Sequence, residues 1–295
     1  MQSIKKNYPC LTRERKGACE MKGETMLVLK NVSKTFSPGT PQEKRALCEV
    51  GLTLEKGDFV TVIGSNGAGK STLFQALAGA FFIDRGMILL DGEDITLQKE
   101  YQRSRVIGRL FQDPLRATAP HLTIEENLAL ACLRTSHRPH FRRIGKGERD
   151  YFRERLAQLD MGLEHRLKQP VGLLSGGQRQ ALALLIATAA APKLLLLDEH
   201  TAALDPVSAE KVLGLTRQIA AEQGITCLMI THSMEQALGF GNRTILMDQG
   251  TIALDIRGEE RRKMTVYDLL AQFSERTGTE LCHDGLLLSC AKLGT

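Results

Sequence analysis

The stretch Gly64-Ser65-Asn66-Gly67-Ala68-Gly69-Lys70-Ser71-Thr72 decides the reading of this chain. An apolar, β-branched run, Phe59-Val60-Thr61-Val62-Ile63, comes before it, and Leu73, Phe74, Leu77 and Ala78 follow at helical spacing. Strand, glycine loop, helix is the order in which G-x-x-x-x-G-K-[ST] becomes a phosphate cradle rather than a plain turn. Gly64, Gly67 and Gly69 leave the backbone free to turn its N–H groups toward one point. A helix opening at Lys70 adds the positive end of its dipole. Lys70 is expected to reach the β- and γ-phosphates, and the Ser71 hydroxyl to help hold Mg²⁺. The ligand expected here is a nucleoside triphosphate, gripped by residues 64 to 72.

Outward from this loop the texture is that of an α/β protein. Strand-like runs are expected near Leu27 to Leu29, Leu52 to Leu54, Met87 to Leu90, Val106 to Phe111, Leu194 to Leu197, Ile225 to Ile230, Ile245 and Ile252. Helices are expected near Pro206 to Gln223 and Ser233 to Phe240. Strands alternating with helices imply a largely parallel sheet covered on both faces. After Asp113-Pro114 the pattern turns helical, over 123 to 133 and 148 to 161, with Thr123 and Glu126 spaced as a capping box. This divides the chain into a poorly ordered tail over 1–25, a nucleotide-binding domain over 26–256 and an extension over 257–295. A helical insertion occupies about 113–175. Length allows one large domain or two modest ones, and no internal repeat of domain size is present.

The formal charge of +5 is mild, and much of it is local: Arg134 to Arg155 holds eight Lys or Arg against three Asp or Glu. Nucleic acid or an acidic membrane could use such a patch, but a solvated face is the simpler reading, and no nucleic-acid partner is expected. The seven cysteines are scattered without C-x-x-C spacing, which fits a reducing compartment better than a disulfide framework. The N-terminus lacks the apolar core of a signal peptide, and the most apolar stretch, Ala181 to Leu197, is broken by Pro192-Lys193.

Two further stretches carry chemistry. Leu194-Leu195-Leu196-Leu197-Asp198-Glu199 reads as a buried strand whose acids emerge at the carboxyl edge of the sheet, where α/β folds bind ligands. Asp198 suits Mg²⁺, and Glu199 suits the general base that activates an attacking water. A helix cap is the bland alternative for such an acid pair. In Leu174-Ser175-Gly176-Gly177-Gln178-Arg179-Gln180, Ser175 reads as an N-cap and the glycines leave backbone N–H groups open at a second helix start. One triphosphate already has its cradle, so a second anion-binding helix start asks for a partner.

These three motifs, in this order and spacing, closely resemble the nucleotide-binding subunits of ABC transporters, over about residues 26 to 256. The resemblance implies a P-loop ATPase fold with a mostly parallel core sheet, an antiparallel β subdomain and an inserted helical subdomain. It implies a head-to-tail dimer of this chain, or of this chain and a paralogue. Each ATP then lies between one P-loop and Ser175, Gly176, Gly177 and Gln178 of the other subunit. Gln112 matches the family's Q-loop, which senses Mg²⁺ or water. His232 matches the switch histidine at the γ-phosphate. Ala203-Leu204-Asp205 matches the D-loop between the sites. Phe36 stands where an aromatic stacks on adenine, although a core aromatic would read the same way. His200 departs from the usual proline after Glu199. The runs Phe111 to Pro120 and Leu122 to Leu130, with Asp198 to Pro206, resemble the ATPases of tryptophan/tyrosine-type amino-acid import systems, and that resemblance implies a helix in the C-terminal extension, near Thr265 to Arg276. The implied partners are an integral-membrane permease and a solute-binding protein, and the implied place is the cytoplasmic face of the membrane. An exporter or lipid-extraction motor, or a soluble assembly ATPase, would use the same engine.

Overall fold

The computed structural model describes residues 24–133 and 144–277. The expected tail lies outside them up to residue 23, as do 134–143 of the basic stretch and 278–295 of the C-terminal extension.

Two sheets meet over the P-loop helix. In the first, β1 (Thr25–Phe36), β2 (Lys44–Glu55), β4 (Arg85–Leu90) and β5 (Glu93–Asp94) pair antiparallel in the order β2-β1-β4-β5. In the second, β3 (Phe59–Ile63), β6 (Ile107–Leu110), β7 (Leu194–Asp198), β8 (Thr226–Ile230), β9 (Arg243–Asp248) and β10 (Thr251–Arg257) run in the order β10-β9-β3-β8-β7-β6. All neighbours there are parallel except the β9–β10 hairpin. The four leucines of β7 are fully buried because both faces of this sheet are covered. Leu194 and Leu196 pack with Leu73, Phe74 and Leu77 of α1 (Lys70–Ala78), whereas Leu195 and Leu197 pack on the other face.

The short α2 (Glu100–Arg103) precedes β6. Between β6 and β7 lie α3 (Ile124–Leu133), α4 (Lys146–Ala157) and α5 (Gly176–Thr188). The Thr123–Glu126 box forms as read: the Thr123 N–H donates to Glu126 Oε2 at 2.7 Å, and the Glu126 N–H to Thr123 Oγ1 at 3.3 Å. Residues 158 to 161, expected to continue the second helix, have left it: Gln158 is its C-cap and Asp160 takes a left-handed φ of 49°. α6 (Pro206–Gln223) begins on Asp205 as N-cap and ends on a left-handed Gly224, so its sequence limits are also its structural ones. After α7 (Met234–Gly239) and the β9–β10 hairpin, α8 (Gly258–Lys263) leads to α9 (Val266–Thr277). Leu269 and Phe273 of α9 are buried with Ile63, Met234, Ala237, Leu246 and Ile256, so the last helix supports the strand that ends at the glycine loop.

Candidate nucleotide site

The glycine loop is shaped by close approach. Gly64 has φ +151°, and a Cβ there would stand 2.2 Å from Met247 O. Gly69, the left-handed N-cap of α1 at φ +101°, would place a Cβ 2.6 Å from Ala46 O. Both positions therefore require glycine for space as well as for backbone angle. The loop is tied to the β9–β10 turn, where the Gly250 N–H donates to Ala68 O at 3.0 Å. Lys70 lies 5% exposed, its ammonium donating to Gly64 O at 2.7 Å and Ser65 O at 2.9 Å. Burial pulls its pKa below the ordinary lysine value, against the opposing fields of Glu199 and Asp198. Ser65 and Thr72 are half-buried, while Asn66, Gly67 and Ser71 are exposed. No acid occupies the first turn of α1, so the helix end keeps its pull on an anion.

Parallel strands deliver the acids to the same edge. Asp198 ends β7 opposite Ile230 of β8, and Val62 of β3 also pairs with Ile230. Burial raises the Asp198 pKa, and the Arg109 guanidinium, with Nη2 3.9 Å from Oδ2, is the main counterweight. Arg109 pairs with Leu196 across β6–β7, which puts it on the same sheet face as Asp198. Its side chain also stacks over Phe111, 4.4 Å from the ring centroid. The sequence carried a signal for Arg109 that the motif reading passed over: it is the one charge within the apolar run Val106 to Phe111.

Glu199 is no helix cap. It takes a left-handed φ of 46°, uncommon for a side-chain-bearing residue, and its N–H donates to Ile230 O at 3.2 Å. That turn aims the carboxylate at His232, with Nε2 to Oε1 at 2.6 Å. His232 follows β8, so two strand ends meet in one polar pair. Gln112 is exposed between β6 and a 3₁₀ turn at Pro114–Ala117. Oxygen donors from Ser71, Asp198 and Gln112 are the hard ligands that Mg²⁺ prefers, and the Asp198 carboxylate is partly buried beside Arg109. Phe36, at the end of β1, meets Phe81 edge-on at 5.3 Å and has the Lys34 ammonium over its ring at 5.7 Å, and the residue is still 37% exposed.

The second helix start is built as read. Ser175 caps α5, accepting from the Gln178 N–H at 3.3 Å, while the Ser175 N–H donates to Gln178 Oε1 at 3.3 Å. Gly177 admits Ser208 of α6: a Cβ would stand 2.7 Å from its Oγ. Leu204 of the Ala203-Leu204-Asp205 turn abuts Gly176, 3.4 Å from a Cβ there. Gln180 Nε2 donates to Phe111 O at 3.2 Å and so links this helix to the segment carrying Gln112. Among the described residues, no hydrogen bond or ion pair joins Ser175 to Gln178 with residues 64 to 72 of the same chain.

His200 is wholly buried, 3.5 Å from Thr216 Oγ1, and burial lowers its pKa from 6.5 to about 4. The folded protein therefore holds it neutral while the unfolded chain takes a proton below pH 6.5. This stability is full above the unfolded value and is lost as pH falls toward the folded one. Chemical denaturation of wild type against His200→Gln should show a difference of about 2 kcal/mol in their losses between pH ~7.5 and ~5. Equal losses in the two proteins would mean that His200 is protonated without penalty.

Comparison with known proteins places this geometry. A family model described as ABC transporter matches residues 47–202. A tyrosine transport ATP-binding protein of Clostridioides difficile is 40% identical over 249 residues, 84% of this chain and 98% of that one. The methionine import ATP-binding protein MetN of Rhizobium johnstonii is 37% identical over 80% of this chain, which spans 62% of that relative. Among solved structures, the ATP-binding cassette MJ0796, dimeric in a post-hydrolysis state with ADP and Pi, superposes with a TM-score of 0.67 at 29% identity, over 79% of this chain and 98% of that one. The cbiO1 protein of Clostridium perfringens, part of the transporter complex cbiONQ, gives 0.68 at 25% identity, over 90% of this chain and all of that one. A phosphate loop, an acid pair on the neighbouring strand ends and a serine-capped second helix start, on this fold and with these relatives, identify an ATP-hydrolysing cassette: the chain belongs to the ABC transporter family.

Proposed function

We propose that this chain is the motor subunit of an importer for an amino acid or a similar small solute, acting as a head-to-tail dimer on a separate permease. The observation that carries the reading is the pair of phosphate-competent helix starts, at Lys70 and at Ser175. The second makes no bond to the first within the described residues, which fits its facing the phosphate loop of a second subunit. The import direction is supported by the methionine import relative, and an amino-acid cargo by the tyrosine transport relative, almost the whole length of which the chain matches. Among the described residues no helix is long and apolar enough to cross a membrane, and a peripheral subunit at the cytoplasmic face fits that.

In this reading residues 64 to 72 hold the triphosphate, Lys70 turning from the loop carbonyls toward the β- and γ-oxygens. The exposed Phe36 stacks on adenine. Mg²⁺, held by Ser71, Asp198 and Gln112, would neutralise phosphate charge. Glu199 accepts the proton of the attacking water, and His232 holds that carboxylate while facing the γ-phosphate. Ser175 to Gln178 of the second subunit close the site. ATP then favours the closed dimer, and hydrolysis reopens it.

The test is to purify the chain from detergent-solubilised membranes of its own host. Recovery with a polytopic membrane protein whose reconstituted vesicles take up an amino acid in the presence of ATP is the expected result. Efflux instead of uptake, or recovery with soluble partners alone, would overturn the importer reading.

A further inference from the structure

β2 opens directly against the phosphate loop. A Cβ on Gly69 and a Cβ on Gly250 would stand 2.6 Å and 2.9 Å from one oxygen, Ala46 O. Lys44 is two residues earlier on the same strand, just ahead of an irregularity at Ala46 in the pairing of β2 with β1. Its ammonium reaches the loop: Lys44 Nζ is 3.8 Å from the place a Cβ on Gly67 would occupy, and no other described atom outside residues 66 to 68 lies within 4 Å of that place. Lys44 is also the cross-strand partner of Phe36. It therefore stands between the exposed ring at the end of β1 and the apex of the loop. Its neighbour Arg45 is matched by Glu43 at 3.9 Å. Among the described residues Lys44 has no ion-pair or hydrogen-bond partner.

We infer that Lys44 is a second ammonium of the nucleotide site and binds the polyphosphate that ATP and ADP have in common. The inference rests on the proposed placing of the triphosphate in residues 64 to 72. Lys70 comes to the loop from α1 and is held by its carbonyls, whereas Lys44 comes from β2 on a flexible four-carbon stem with three donors unused. A polyanion seated on the loop N–H groups would have this ammonium beside it. Because Lys44 is exposed beforehand, little desolvation opposes the contact.

The test is fluorescence titration of N-methylanthraniloyl-ADP and N-methylanthraniloyl-ATP into wild type, Lys44→Met, Lys44→Gln and Lys44→Arg. Met keeps the stem and Gln keeps polarity, so two neutral variants guard against a local packing artefact. Both should raise Kd for both nucleotides by about tenfold at low ionic strength. Added salt should shrink that gap, and Lys44→Arg should stay near wild type. Neutral variants within about twofold of wild type for both nucleotides would overturn the inference. So would a loss confined to ATP, which would place the ammonium on the γ-phosphate alone. Failure of wild type to bind either nucleotide would instead overturn the ATP site itself, and Lys44 with it.

Discussion

Glu199→Gln should lower ATP turnover by roughly 10²–10⁴ while leaving nucleotide affinity equal to wild type or higher. Glutamine keeps the shape and loses the basic carboxylate. It also removes a negative charge from the surroundings of Lys70, where Glu199 is the larger of the two acidic influences. A hydrogen bond to His232 remains available to the amide, so the 2.6 Å pairing of two strand ends need not collapse. With hydrolysis stalled, ATP should hold two subunits together, and gel filtration should show an ATP-dependent dimer stronger than that of wild type. Adding Ser175→Arg should abolish the dimer and leave monomeric ATP binding largely intact, because Ser175 caps a helix with no bond to the phosphate loop of its own chain. A double variant that still dimerised with ATP would remove the composite site. Unchanged turnover in Glu199→Gln would remove Glu199 as the base.

Lys70→Ala should raise the Kd for ATP by about 10²–10⁴, since a charge-assisted contact is worth about 1.5–3 kcal/mol and Lys70 should make two. In the structure its ammonium is satisfied by Gly64 O at 2.7 Å and Ser65 O at 2.9 Å. The truncation therefore also removes partners from two loop carbonyls. Equilibrium binding with a fluorescent nucleotide, beside a thermal unfolding scan, separates the two effects. A variant that melts like wild type and still binds ATP normally would end the assignment of the loop.

The two variants probe different kinds of knowledge. Local chemistry wrote the glycine loop, the capped helix start at Ser175 and the strand of four leucines into short stretches of chain. Periodicity and capping are short-range properties, so the limits of α6 and the Thr123–Glu126 box could be read directly. The end of α4 could not, because the apolar spacing from 158 to 161 continues while Asp160 turns left-handed and Leu159 and Leu163 pack from outside the helix.

What the sequence determined by itself was the identity of the groups: a lysine after glycines, two acids after a buried strand, a serine before two glycines. Only the tertiary structure decided which of them meet. The order β3-β8-β7 brings Lys70, Asp198, Glu199 and His232 to one sheet edge, although they are spread from residue 70 to residue 232. The same packing set Arg109 beside Asp198 and carried Lys44 to the loop, and neither position belongs to a motif. It also made His200 a neutral buried group rather than a solvent-facing one. Burial, field and strand register are sums over residues distant in the chain, and no short stretch contains them.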